Sequence, residues 1–210
     1  MRLIVILFMK NFFIRLSFWT LLLTGCTTEL TELRTGDLLF VGGKSDMDKA
    51  IKESTGQFTH VAIVVRDSNN LYVYDATPRF GVRQWTYQEF MNNMDEGDTV
   101  IPMRIEEEFD EDHLRCFLSD AVGTPYDSAF SHNNDRFYCS ELVYRSFLDS
   151  YCSEYLFAVQ RMNWRDKEGN IPDYWVEWFN SVGVPVPEGK WGTNPNDMFH
   201  SSFLKPIRLK

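Results

Sequence analysis

Three side chains in this sequence have the types that nucleophilic chemistry requires. Cys139 stands in the run Phe137-Tyr138-Cys139-Ser140-Glu141-Leu142-Val143. A cysteine attacks as its thiolate, and needs a base to take its proton and a group to orient that base. A helix beginning at Cys139 would set the sulfur at the helix N-terminus, where unpaired N–H groups and the positive dipole end stabilise a thiolate. Cysteines so placed and paired with histidine have pKa values of roughly 3.5–7.5, against about 8.5 for a free thiol. Taken alone, a cysteine in such a run is more often a buried packing residue. His60 changes the reading, because it interrupts the otherwise apolar strand Thr59–Val65, THVAIVV. A single histidine on such a strand is ordinarily a satisfied core residue. Asp75, in the return strand Leu71–Ala76, LYVYDA, supplies a third group. A loop over Asp67–Asn70 pairs Arg66 with Leu71 and hence Ala62 with Asp75, which puts His60 and Asp75 on one face as diagonal neighbours. A two-residue loop at Asn69-Asn70 keeps that parity, whereas a three-residue loop turns Asp75 away. A carboxylate beside an imidazole fixes its tautomer and stabilises the imidazolium; otherwise Asp75 merely ends the strand.

The elements that must position these groups follow from pattern. Gly36-Asp37 opens a buried strand over Leu38–Val41. Ser45 with Asp48 three residues on marks a helix start, running to about Glu53, and Thr86 with Glu89 marks a short helix through Met91. Thr99–Ile105 reads as a strand whose Pro102 implies an edge or a bulge. Asp110–Val122 reads as an amphipathic helix with Leu114, Phe117, Leu118, Ala121 and Val122 inward and Gly123 as its stop. A second helix runs from Cys139 to about Asp149, with Leu142, Val143 and Phe147 inward. The tail from Trp164 reads as aromatic, irregular structure wrapped over the domain, with one short helix near Tyr174–Asn180. The whole is an α+β domain with a central antiparallel sheet.

Residues 1–25 read as a secretory leader: Arg2, Lys10 and Arg15 come first, then an apolar run from Phe18 through Leu23, then small residues. Met9 offers a second, tidier start. Leu23-Thr24-Gly25-Cys26 resembles a bacterial lipobox, which implies acylation of Cys26 after cleavage. A spanning helix fits less well, because Lys10 and Arg15 break the apolar stretch. The expected organisation is a signal peptide over 1–25, a tether over 26–34 and one catalytic domain over 35–210, held by lipid in the bacterial cell envelope. Thr27 after Cys26 favours the outer membrane.

The chain has 210 residues, a hydrophobic fraction of 44% and a net charge of -9. Removing the three positive charges of the leader leaves -12, a surface that repels phosphate backbones, so nucleic acid is excluded as a partner. The composition excludes a disordered chain. Four cysteines give no dense disulfide framework, and no spacing points to zinc, so neither a metal nor a cofactor is expected. The domain is expected to be a monomer. Cys116 reads as helix packing, and Cys152 has no evident chemical partner. His113 and His200 sit in polar contexts, and His132, seven residues before Cys139, is the reserve base.

In order along the chain stand RTGDLLF (34–40), FTHVAIVV (58–65), VYDATP (73–78), GTPYD (123–127), FYCSELV (137–143) and NPNDM (194–198). This series resembles the permuted papain-like amidases of the YaeF/YiiX type, within the circularly permuted branch of the NlpC-like cysteine hydrolases. It spans about Leu33 to Ile207, and His60 precedes Cys139 as permutation requires. The resemblance implies a permuted papain-like fold, with Cys139 as nucleophile, His60 as general base and Asp75 as orienting acid. The family's third position is usually Glu, so Asp75 is one methylene shorter. Tyr138 and the Cys139 backbone N–H are candidates for the oxyanion site.

The function expected is a cysteine hydrolase that cleaves an amide, in a murein-type peptide or a small acylated amino-acid compound. Lipid acyl hydrolysis or acyl transfer on the same fold is the second class, and a degenerate peptide-binding lipoprotein the third. A polar pocket favours a peptide amide, a long apolar groove favours a lipid, and a His60 unable to reach Cys139 favours the binding module.

Overall fold

The four runs that read as strands, with two more that do not, pair into one six-stranded antiparallel sheet of order β4-β3-β2-β1-β5-β8. Its strands are β1 (Leu38–Gly42), β2 (His60–Asp67), β3 (Asn70–Thr77), β4 (Gly81–Thr86), β5 (Thr99–Ile105) and β8 (Leu204–Pro206). The computed structural model describes residues 32–131, 134–148 and 156–208. The leader, Cys26, the tether up to residue 31, His132 and Cys152 lie outside the described residues. The chain divides into two units, and Leu33–Ile207 holds every element described below. Among the described residues no helix is long and apolar enough to cross a membrane.

The β2–β3 hairpin sets the register that matters. Asp67 pairs with Asn70, Arg66 with Leu71 and Ile63 with Tyr74. The loop is therefore the two residues Ser68-Asn69, with Ser68 at a positive φ of 51°. Arg66 faces Leu71 as expected, and the continued register sets Ala62 opposite Asp75 with His60 on the same face.

β4 is a strand that the sequence pattern does not announce. Only Gly81 and Val82 of its six residues are buried, so it lacks the apolar alternation of a half-buried strand. It pairs along its whole length with Tyr72–Thr77 of β3, and its outer edge is covered at one point by the chain around residues 123–124: Val82 N–H donates to the Thr124 carbonyl at 2.8 Å and Gly123 N–H to the Val82 carbonyl at 2.9 Å. Gly81 is required there. Its φ is 67°, and a Cβ would lie 2.3 Å from the Thr124 carbonyl oxygen.

Pro102 does not mark an edge, since β5 lies between β1 and β8. The Pro102 carbonyl accepts from Ile207 N–H. N–H and C=O of one strand residue point to the same side, so the missing donor also faces β8 and leaves the β1 ladder intact.

Among the described residues there are six helices: α1 (Asp46–Ser54), α2 (Tyr87–Asn92), α3 (Glu111–Ala121), α4 (Cys139–Ser146), α5 (Asp173–Val182) and α6 (Pro195–Phe199). The capping boxes at Ser45/Asp48 and Thr86/Glu89 form as the sequence implies. α3 buries Leu114, Leu118 and Ala121 but ends at Ala121. Val122 follows in extended conformation and is 45% exposed, which corrects its expected inward position. Cys116, expected to pack, is exposed: two residues past Leu114 it falls on the opposite side of the helix. α4 ends at Ser146, and its Leu142 and Val143, with Phe147 just beyond, are fully buried. α4 packs across β2 and β3, where each such apolar side chain contributes about 1.5–3 kcal/mol. The tail builds more than the single helix expected: α5 begins at Asp173, α6 follows, β8 joins the main sheet, and β6 (Gln160–Arg161) pairs with β7 (Trp191–Gly192).

Candidate active site

Three elements converge at one end of the β2–β3–β4 sheet: His60 is the first residue of β2, Asp75 stands near the end of β3, and Cys139 opens α4. Trp85 of β4 lies farther in, two residues along the β3–β4 ladder from the partner of Asp75. His60 Nε2 lies 3.0 Å from Asp75 Oδ2. The imidazole and the Cys139 side chain are close enough to interact, and both line the same cavity. The structure therefore brings together Cys139, His60 and Asp75, three residues far apart in sequence. Asp75 is 4% exposed and Cys139 7%.

The electrostatics follow from these contacts. Burial works against a charge on His60, but its interactions with Asp75 and Cys139 and their negative charges outweigh it, and the imidazolium is raised from 6.5 to about 10. At neutral pH His60 thus carries a proton, held against Asp75 and available toward the sulfur. On the Cys139 side, Tyr138 is the N-cap and makes no side-chain cap bond. The first-turn N–H groups of α4 are left pointing out of the helix end beside the sulfur, where they can receive a developing oxyanion.

Tyr138, the other oxyanion candidate, is 1% exposed. Its hydroxyl accepts the Thr193 N–H at 3.1 Å, and Thr193 Oγ1 lies 3.1 Å from Ser140 Oγ. Tyr138 thus ties the tail to the start of α4. Burial, first of all, pushes its phenol above the ordinary tyrosine range. His113 and His200 do not line the cavity described next.

A cavity of about 250 Å³ opens beside Cys139 and His60. Its walls are largely apolar: Met47 and Ile51 of α1, Phe130, Met162, Trp164 and Trp175. Trp164 and Trp175 meet edge to face at 4.6 Å, and Phe130 stands 5.0 Å from Trp164. The Trp175 indole N–H reaches the Ala50 carbonyl at 3.4 Å, and Asn163 Nδ2 donates to the Ser54 carbonyl at 3.0 Å, so the tail is hydrogen-bonded to α1 across the cavity.

Two residues here escaped the sequence reading. Tyr126 lines the cavity, and its buried phenol is pushed well above the ordinary range, by desolvation first and by the charge of Cys139 next, so it stays protonated as a neutral donor. The GTPYD run was its signal, although a tyrosine in a loop declares no role. Trp85 donates its indole N–H to Asp75 Oδ1 at 2.8 Å, and only the β4 register could have exposed it. Among the described residues no group of three His, Cys, Asp or Glu side chains could hold a metal ion.

Comparisons with known proteins bear on the family and the fold. YiiX of Escherichia coli strain K12, an uncharacterised protein, is 28% identical over 118 residues, which cover 54% of this chain and 57% of that relative's length. The crystal structure of YiiX from Escherichia coli O157:H7, described as a metalloprotein, superposes with a TM-score of 0.72 at 22% identity, covering 85% of this chain and 98% of the other. At that identity the likeness establishes the fold. The family model of the permuted papain-like amidase enzymes matches residues 32–208. A chain matched over nearly all its described length, in the fold and in the order of its motifs, belongs to the permuted papain-like amidases of the YaeF/YiiX, C92 family.

Proposed function

We propose that the protein is a cysteine amidase of the bacterial cell envelope that cleaves the amide of a small acylated amino-acid compound, with Cys139 as nucleophile, His60 as base and then acid, and Asp75 as the group that orients His60. The observation that carries this reading is one imidazole hydrogen-bonded to a buried carboxylate and set beside a cysteine at an apolar cavity. A His60 that reaches Cys139 speaks against a degenerate binding module.

In the first half-reaction the thiolate of Cys139 adds to the amide carbonyl and forms the C–S bond. The first-turn N–H groups of α4 take the negative charge on oxygen, with Tyr126 as a neutral donor from the cavity wall. His60 gives its proton to the leaving nitrogen as the C–N bond breaks, and an amine departs. In the second half, neutral His60 takes a proton from water, hydroxide adds to the thioester, and the C–S bond breaks to release the carboxylic acid and the thiolate. His60 ends protonated, as it began. The related YiiX structure is described as a metalloprotein. Among the described residues of this chain no group of three His, Cys, Asp or Glu side chains could hold a metal ion, and each Asp75 oxygen already takes a hydrogen bond, so no step is routed through one.

The lining supports the acyl reading over the peptide one. Met, Ile, Phe and Trp side chains offer a murein-type peptide few polar partners and offer an acyl chain a dry wall. The same lining favours lipid acyl hydrolysis or transfer as the second reading, which shares the thioester intermediate and differs in the leaving atom. The test is labelling of Cys139 by two chloromethyl ketones in parallel, one built on an N-acyl amino acid and one on a murein-type tripeptide. Faster labelling by the acyl reagent is expected. Faster labelling by the tripeptide would overturn the acyl reading, and no labelling of Cys139 by either would overturn the enzyme reading.

The envelope location rests on the leader and on Cys26. Lipidation at Cys26 makes 1–25 the signal peptide and leaves the domain tethered to the membrane. Intact-mass measurement should find an acylated N-terminus at Cys26 and an unprocessed chain in Cys26→Ser; an unlipidated N-terminus elsewhere would refute it.

A further inference from the structure

The carboxylate that holds His60 is itself held. Asp75 has two oxygens in a nearly closed site: Oδ2 meets His60 at 3.0 Å and Oδ1 accepts the Trp85 indole N–H at 2.8 Å. Register explains the second contact. Asp75 faces Arg83 directly across the β3–β4 ladder, and Trp85, two residues on, faces Val73. Asp75, Arg83 and Trp85 therefore share one face of the sheet, with Trp85 as the diagonal neighbour of Asp75.

The direct neighbour is a cation that does not take the carboxylate. The Arg83 guanidinium lies 4.7 Å from the Phe80 ring centre and 4.5 Å from that of Trp85, and Arg79 lies over the other ring contact of Phe80 at 4.9 Å. Phe80 and Trp85 meet edge to face at 5.5 Å. Arg83 is exposed, and this stack occupies its guanidinium. The indole thus acts twice. Its N–H fixes the plane of the Asp75 carboxylate, and its ring face offers Arg83 a resting place away from that carboxylate.

We infer that Trp85 is a positioning residue of the active site, the fourth member of a relay Trp85–Asp75–His60–Cys139 that lets a short aspartate orient the histidine. The inference rests on the roles given to Asp75 and His60 above. An aspartate carboxylate swings on two torsions, and in a site with one partner either oxygen could turn to His60 or to Arg83. With Oδ1 bound to the indole, only Oδ2 remains, in the direction of Nε2.

The test measures iodoacetamide alkylation of the Cys139 peptide by mass spectrometry, as a function of pH, on the full chain and on Trp85→Phe, Asp75→Asn and their combination. Trp85→Phe keeps a ring for Arg83 and removes the N–H. It should slow Cys139 alkylation at pH 6 roughly tenfold, the weight of one charge-assisted hydrogen bond, and move the onset to higher pH. On the Asp75→Asn background it should add nothing, because Trp85 acts through Asp75. Phe80→Leu, which thins the stack but spares the N–H, should leave the profile in place. A Trp85→Phe profile that overlays the parent while Asp75→Asn shifts would overturn the role of Trp85 and leave the proposed function standing. An equal slowing on both backgrounds would assign Trp85 to packing alone and overturn the inference. An Asp75→Asn profile unchanged from the parent would remove the orienting role of Asp75 and that of Trp85 with it. Should Trp85→Phe not fold, the indole resonance of Trp85 in the 15N-labelled parent gives a second reading: it should be exchange-protected and should move on Asp75→Asn, and a resonance that stays put would overturn the inference.

Discussion

The two walls of the site are built by different means. The wall that carries the chemistry is regular: His60, Asp75 and Trp85 hang from three adjacent antiparallel strands, and Cys139 from the first turn of a helix packed on them. Strand register sets their spacing, so a slip of one residue would turn Asp75 to the opposite face. The facing wall is largely irregular, apart from Trp175, which helix α5 carries. Met162, Trp164 and Trp175 come from the tail, whose paired segments are as short as two residues, and they are held by ring contacts and by a few hydrogen bonds to α1. The first wall positions atoms to within a hydrogen bond; the second supplies volume and dryness. Chemistry and stability should therefore separate when each wall is cut.

The largest effect should come from the regular wall. Cys139→Ala removes the only atom that can form the thioester, and turnover and labelling should vanish while the fold persists. His60→Ala should come close, since the sulfur loses both proton acceptor and cationic partner, and the two losses should not add. The measurement is Cys139 alkylation against pH in His60→Ala, with the onset expected to rise toward an ordinary thiol. An unchanged onset would show that His60 does not activate Cys139, and the binding-module reading would move ahead.

Cutting the irregular wall should do the opposite. Trp175 is 1% exposed and packs on Trp164 and Phe179. Trp175→Ala should cost about 3–5 kcal/mol in urea unfolding, the usual range for a fully buried large aromatic. The alkylation onset of Cys139 should stay where it was in the folded fraction. A shifted onset would mean that the tail helps to position the chemistry, and the division between the walls would fail.

That division also explains what the sequence could reveal. His60 and Asp75 were legible because β2 and β3 are apolar runs that each polar residue interrupts, and their hairpin loop permits few registers. Cys139 was legible because the apolar positions Leu142, Val143 and Phe147 repeat at helical spacing after it. The motif order then carried the fold. β4 was not legible, because an edge strand with four of its six residues outside the core has no alternation to read, and Trp85 went unseen with it. The apolar lining was hidden for a different reason: rings in an irregular tail have no period that says which way they face. Val122 and Cys116 misled because the helix that carries them ends one residue early and turns one side to solvent.

Asp75→Asn should have a smaller effect than either truncation. It keeps shape and loses a charge. One charge-assisted bond to a buried imidazolium is worth roughly 1.5–3 kcal/mol, ten- to a hundredfold in alkylation rate at acidic pH. The sign with pH follows from His60, which is raised from 6.5 to about 10. A raised histidine adds stability that is complete below pH 6.5 and is lost as pH rises through about 10. Without the Asp75 charge the histidine is raised less, so the contribution should be smaller and its loss should be complete at a lower pH. Urea midpoints measured across this window in parent and Asp75→Asn check it, and curves of identical shape would show that Asp75 does not support the imidazolium.

The smallest effect tests the seam between the walls. Asn163 lines the cavity and is exposed, and its Nδ2 reaches the Ser54 carbonyl at 3.0 Å and the Arg165 carbonyl at 3.1 Å. Ser54 is the last residue of α1, whose terminal carbonyls have no partner within the helix. Asn163→Ala frees that carbonyl, but water can replace the amide at an exposed site, so the cost should stay near 0.5–1 kcal/mol. The consequence for catalysis should be one of binding. A seam that opens lets the acyl portion sit less firmly while the relay through His60 is untouched, so KM for an acyl amide substrate should rise with kcat unchanged. A fall in kcat at constant KM would place Asn163 with the chemistry, and the boundary between the two walls would have to be drawn on the other side of the cavity rim.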